Sequence, residues 1–228
     1  NMASSTIPGY KKQEMSFEAV RAGMLLPTAA GASAAHGQPV SLPGGHTNLN
    51  FSQGPVKSTG VNTDFLIEGD AFFEVQMPNG GSAFTRDGEF KFNPQGQLVT
   101  KQGYLVMGLG GPIQIDPNIP GGVSVAPDGT ISQGNERRGQ LNLVTFNDRN
   151  LLNPAGGGYF LANNPALQQE LNGGSTVRQG ALEGSNSSTV MDMADLMTSM
   201  RSFEANQKIV QMQDERMGRA IADLGNPN

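Results

Sequence analysis

The stretch Asp64–Gly81, DFLIEGDAFFEVQMPNGG, holds two apolar runs, Phe65-Leu-Ile67 and Ala71-Phe-Phe73, followed by turn-forming residues. Gly69-Asp70 and Asn79-Gly80 read as hairpin loops, because Gly and Asn accept the positive φ that tight turns demand. The same punctuation recurs at Asp87-Gly88, Asn93–Gly96, Gln102-Gly103, Gly108–Gly111, Pro120–Gly122 and Pro127–Gly129. Further strand candidates are Gln140–Phe146, Gly158–Leu161 and Ser175–Arg178. Short strands between closely spaced turns predict a mainly β chain, an antiparallel meander or irregular β domain.

Composition agrees. Gly 31 and Pro 14 among 228 residues favour strands and turns over long helical layers, and the hydrophobic share of 36% with that length supplies a sizeable core. The net charge of -5 comes without a Lys/Arg block, which argues against a nucleic-acid partner. Cysteine is absent, excluding disulfides and thiolate chemistry. Apolar runs such as Gly23–Leu26 fall far short of the roughly 18 to 20 residues that span a bilayer, so membrane insertion is not expected. The chain begins with Asn and shows no basic-then-apolar leader, which suggests a fragment.

Before the β region, Lys11–Val20 reads equally as a helix turn or a strand. The Ala-, Gly-, Pro- and Ser-rich stretch from Leu26 to Gly60 reads as a connector running over a surface, held by residues such as Val40, Leu42 and Phe51.

After Gly184 the period changes from two to seven. Leu196, Phe203, Val210, Met217 and Leu224 stand seven apart, with Met193, Met200 and Ile221 on an adjoining row, which predicts one long amphipathic helix. Ser185, Asn186 or Ser188 can cap it, Asp192 and Asp195 suit its positive end, and Gly225 and Pro227 close it. At 1.5 Å per residue such a helix is roughly 55 Å long, too long to be covered by a small sheet. Gln207 and Asp214 interrupt the second row, so the continuous seam is narrow, and a narrow heptad seam asks for another helix. Burying its five residues would contribute at most on the order of 10 kcal/mol. The expected assembly surface is Leu196, Met200, Phe203, Val210, Met217, Ile221 and Leu224.

Chemistry is sparse. His36 and His46 lie in the connector and read as solvated loop residues. No nucleophile elbow, phosphate-binding loop, dinucleotide fingerprint or metal-ligand pattern is present, so no catalytic residue, cofactor or metal is assigned. In FTRDGEF (Phe84–Phe90) the charges invite a catalytic reading. As a two-residue hairpin loop at Asp87-Gly88, however, the stretch sets Arg86 opposite Glu89, fans the charges into solvent and buries Phe90 and Phe92. That makes Arg86, Asp87, Gly88, Glu89 and Phe90 structural.

Three separated stretches resemble one family, the axial proteins of the bacterial flagellar rod and hook. Asn1–Lys11, NMASSTIPGYK, is similar to the Asn-Leu-Ala-Asn…Thr-Pro-Gly-Tyr/Phe-Lys stretch that follows the family's N-terminal helix. Residues 53–103, with Asp64–Phe73 and Phe84–Phe90, resemble its most characteristic block. Leu182-Glu-Gly-Ser-Asn186, with Arg201, Phe203-Glu204 and Asn206–Lys208, resembles its C-terminal helix. Ser4, Ile7 and Ala71 depart from the usual Asn, Thr and Gly. Gly139–Phe146 and the modest length look more like the proximal rod branch than the distal rod or the longer hook branch.

The resemblance implies a non-enzymatic structural subunit of the basal-body rod, self-assembling and co-assembling with other rod and hook proteins to transmit torque. It implies a location in the periplasm-spanning rod and export by the flagellar type III apparatus. It further implies that an N-terminal helix, missing here, pairs with the C-terminal helix in an inner tube. The chain then divides into a remnant (1–25), the connector (26–60), a β domain (61–184) and the coiled-coil helix (185–225). The competing expectation is a secreted β-rich binding module or a glycan-acting enzyme. That enzyme would need two carboxylates among Asp64, Glu68, Asp70, Glu74, Asp87 and Glu89 converging about 5 to 9.5 Å apart.

Overall fold

The two aromatics Phe72-Phe73 show how the body is built. Successive strand residues point to opposite faces. Phe73, Val75, Ala83 and Tyr159 enter one core with Phe65, Ile67, Phe90, Leu98 and Val106, whereas Phe72, Phe84 and Phe160 enter a second with Val144, Phe146 and Leu152. Both faces of the central strands are therefore covered, which is why their sequence reads as nearly continuous apolar runs. The second core is an aromatic cluster: Phe84 and Phe146 meet edge-on at 4.9 Å, and Phe72 contacts Phe51, Phe146 and Phe160.

The structure, a computed structural model, describes residues 4–21, 41–116, 122–164, 166–167, 169–171 and 174–225. His36 and Val40, Pro120 and Gly121 of an expected turn, and the closing Pro227 lie outside them. All the strand pairings described are antiparallel. The main sheet runs Asn153–Gly156, Tyr159–Leu161, Ser82–Thr85, Phe72–Gln76, Leu105–Gly108, Leu98–Val99, Lys91–Phe92. Gly111–Pro112 joins it on Leu105–Gly108, and Leu143–Phe146 links Phe72–Gln76 to Gln169–Leu171. A three-stranded sheet comprises Val123–Val125, Thr130–Gln133 and Glu136–Gln140. Phe65–Glu68 pairs with Thr176–Gln179, Val56–Ser58 with Ala181–Glu183, and Gln13–Arg21 with Ser41–Leu49. The ambiguous segment after Lys11 is thus a strand, and its partner lies in the Gly- and Pro-rich stretch.

Several expected hairpins are present. The turn at Asn79-Gly80 joins Phe72–Gln76 to Ser82–Thr85, closed by Met77 and Gly81, and turns at Asn93–Gly96, Gln102-Gly103, Gly108–Gly111 and Pro127–Gly129 join paired neighbours. Two expectations need correction. Gly69-Asp70 does not close a hairpin, because Phe65–Glu68 pairs with Thr176–Gln179 while Phe72–Gln76 pairs with other strands; the chain turns a corner between sheets there. Gln140–Phe146 is not one strand. It breaks at Leu141, which bridges to Gly108, and continues in a different sheet.

The C-terminal helix runs Thr189–Gly225, 37 residues. Ser188 caps it: its carbonyl accepts from Asp192 N–H at 2.9 Å, and its Oγ accepts from Met191 N–H at 3.5 Å.

Candidate functional site

Three charged side chains from distant parts of the chain meet where the helix leaves the β body. Glu183 ends the strand Ala181–Glu183, Lys11 ends the N-terminal stretch, and Arg86 follows Ser82–Thr85. Lys11 Nζ lies 2.5 Å from Glu183 Oε1 and Arg86 Nη1 lies 3.3 Å from Oε2. None of the three is more than 3% exposed. Further hydrogen bonds surround the cluster: Gly54 N–H donates to Glu183 Oε1, Lys11 Nζ to Ser52 O, and Arg86 Nη2 to Gly69 O, while Arg86 Nε is buried without a hydrogen-bond partner. The Arg86 guanidinium also sits 5.0 Å from the centre of the Phe72 ring. Burial lowers the pKa of both cations and the Glu183 charge opposes that shift. Two buried cations on one carboxylate depend on these partners, because an unpaired buried charge costs several kcal/mol.

The N-terminal stretch reaches the cluster through close backbone approach. Gly9, at φ +66°, donates its N–H to Glu183 O at 2.7 Å. A Cβ there would lie 2.4 Å from the Arg86 carbonyl carbon, so only glycine fits.

Residues 4–12 also hold the helix start. Asn186 donates its backbone N–H to Tyr10 O and accepts from Lys12 N–H through Oδ1 at 2.6 Å, while its Nδ2 donates to Asn50 O and Ser52 O. Thr189 Oγ1 donates to Ser5 Oγ. Lys12 Nζ lies 3.3 Å from Asp192 and 3.9 Å from Asp195. A hydrogen bond from Ser187 and the Lys12 charge hold the Asp192 carboxyl below its ordinary range.

Arg86 therefore is not opposite Glu89, and Arg86 and Asp87 are buried rather than fanned into solvent. Glu89 bridges to Asp64 and pairs with Lys101. The strands Ser82–Thr85 and Lys91–Phe92 are not paired, so Asp87-Gly88 is not a two-residue hairpin loop. Gly88 instead passes so close to the next strand that a Cβ would lie 1.7 Å from Phe65 O. Phe90 is buried against Phe65 and Phe73, and the half-buried Phe92 packs on the same core.

Asp87 is 9% exposed, and burial pushes its pKa up from 3.8 to about 6. A raised carboxylate pKa means the folded state holds the proton more tightly. This favours folding below about pH 4 and is lost as pH rises through 6, at a cost of up to about 3 kcal/mol. Asp87→Asn keeps an Oδ1 acceptor for Glu89 N–H and removes the charge. Its stability in urea should exceed that of the parent at pH 7.5, with the gap closing towards pH 4; equal stability at pH 7.5 contradicts the assignment.

The helix leaves this junction uncovered. Leu196 is 56% exposed, Met200 58%, Phe203 64%, Val210 57% and Met217 62%, while the side chains of Ile221 and Leu224 lie outside the described residues. A second row of exposed apolar residues, Met191, Ile209 and Met212, lies away from the seam. Four of the six candidate carboxylates have partners of their own: Glu68 pairs with Arg178, Asp70 with Arg149 and Glu89 with Lys101, and Glu74 is clasped by Ser82 and Asn142; Asp64 and Asp87 lie beside Glu89. Among the described residues no group of three or more His, Asp or Glu could hold a metal ion, and no helix is long and apolar enough to cross a membrane.

Lys11 and Glu183 carry this junction and sequence reasoning gave them no role. The available signal was a lone carboxylate in the apolar run Ala181-Leu-Glu183, a residue type that is buried only when paired.

A β body whose N-terminal stretch and last strand are locked together at the root of a long, uncovered helix with an exposed apolar row defines a class: a structural subunit that completes its packing in an assembly. Residues 66–133 match the family model of the flagellar hook protein FlgE/F/G D1 domain, and residues 178–223 match that of the flagellar basal body rod FlgEFG protein C-terminal region. The flagellar basal-body rod protein FlgF of Caulobacter vibrioides is 37% identical over 180 residues, covering 78% of this chain and 72% of that protein. FlgG of Borreliella burgdorferi is 32% identical over 250 residues (96% and 89%), and FlgF of Escherichia coli 31% over 235 (96% and 88%). The chain belongs to the flagellar basal-body rod protein family.

Proposed function

We propose that this chain is a structural subunit of the bacterial flagellar basal-body rod, and that the seam Leu196–Leu224 is the surface through which it joins neighbouring axial subunits. The observation that carries the reading is the exposure of Leu196, Met200, Phe203, Val210 and Met217 on one face of a helix in a family of rod proteins. Exposed apolar rows of this length are unstable alone and are satisfied by helix partners. Copies of the chain and other rod and hook proteins are those partners, and the assembled tube carries torque.

The β domain at 61–184 forms the outer body and the helical region 185–225 the inner tube, with residues 26–60 as the connector and residues 1–25 as the remnant before it. Segment 139–146 supports membership of the proximal rod branch. Delivery follows the flagellar type III export route. A glycan-acting enzyme finds no support in the relatives.

The test is incorporation. A tagged copy expressed in a strain lacking its own should be recovered in purified basal bodies and restore swimming. A copy that accumulates normally yet never enters basal bodies contradicts the assignment.

A further inference from the structure

Cysteine is absent, so methionine carries all the sulfur of the chain. Six of the eleven methionines, Met191, Met193, Met197, Met200, Met212 and Met217, lie between Thr189 and Gly225, and all six are exposed. Met77 and Met107 of the β body are half-buried, and Met77 packs against the first core. Helix formation does not ask for this sulfur. Leucine has about the same helix propensity and occupies the seam at Leu196 and Leu224. What methionine adds is a polarizable thioether open to oxidation. A helix without cover leaves that thioether in solvent, and fraying of a helix that lacks its partner opens it further.

We propose that Met200 and Met217, the two thioethers of the seam, are oxidation sites through which a peroxide-class oxidant bars a free chain from assembly. The sulfur lone pair attacks one peroxide oxygen, and the S–O bond forms as the O–O bond breaks. The sulfur-bound hydroxyl gives its proton to the leaving hydroxide, which departs as water. Sulfur loses two electrons and the peroxide gains them. The sulfoxide is polar where the thioether was apolar. On a surface that the proposed assembly would bury, an unpartnered polar group weakens association by about tenfold or more per residue. Covered sulfurs are out of the oxidant's reach, so the chemistry acts before a subunit joins and spares those already in place. This inference rests on the rod reading, and two measurements separate its failure from the failure of that reading.

In the first, the purified chain and basal bodies containing it receive the same dose of hydrogen peroxide, and mass spectrometry follows sulfoxide at each residue. In the free chain Met200 and Met217 should convert several-fold faster than Met77 and Met107, and in basal bodies they should be protected. Equal rates at the four residues in the free chain would overturn the proposal and leave the rod reading intact. Conversion of Met200 and Met217 as fast in basal bodies as in the free chain would overturn both, because the seam would then be uncovered. In the second, the parent and Met200→Leu/Met217→Leu carry different tags and are co-expressed in one strain lacking the native copy. The strain is grown with and without enough peroxide to oxidise the unassembled parent. Peroxide should shift the ratio of the two in basal bodies towards the leucine variant by at least about tenfold. Sharing one cell cancels general damage, so an unmoved ratio would overturn the proposal while leaving the seam as the assembly surface.

Discussion

Glu183→Ala should destabilise the folded protein by about 3 to 5 kcal/mol, a large fraction of the roughly 5 to 15 kcal/mol that holds a typical domain. The substitution leaves Lys11 and Arg86 buried together without a counter-charge and removes the acceptor of Gly54 N–H. The cost lies in breaking the set rather than in the worth of one ion pair. Replacing all three charges together, as Lys11→Met, Arg86→Met and Glu183→Leu, should therefore cost less than Glu183→Ala alone. With no tryptophan in the chain, urea unfolding is best followed by far-UV circular dichroism. A loss below about 1 kcal/mol for Glu183→Ala would mean that the cluster is solvated and that the chain ends are held by other contacts.

Much of the architecture was legible because it is written in local signals. Heptad spacing from Leu196 onward specified a helix that runs Thr189–Gly225, and Asn79-Gly80, Asn93–Gly96 and Gln102-Gly103 specified turns that join paired strands. Gly69-Asp70 misled because a corner between two sheets uses the same positive-φ glycine as a hairpin; the difference is made by Thr176–Gln179, about a hundred residues away. Arg86 misled for the same reason. Its partner is Glu183, and nothing near Arg86 in the sequence signals that. The junction as a whole was half legible. Lys11, Arg86 and Glu183 each lie in a stretch that resembles the rod and hook family, yet that these stretches meet at one point is a fact of the fold alone.

The seam has the other large expected effect. Phe203→Asp with Val210→Asp places two carboxylates in the middle of a surface that is exposed in the single chain and that the proposed assembly would bury. Exposed, they cost the helix little. Buried without partners, at about 3 kcal/mol each or more, they weaken association by roughly four orders of magnitude. The β body should be indifferent, since Phe203 and Val210 lie in the exposed part of the helix and in neither core.

The decisive measurement is a paired one on this double variant: the melting of the purified protein, and its recovery in basal bodies with swimming in a strain lacking the native copy. A melting temperature of the β body equal to the parent's, no recovery in basal bodies and no swimming are the expected results. Normal incorporation and swimming would show that the seam Leu196–Leu224 is not the assembly surface.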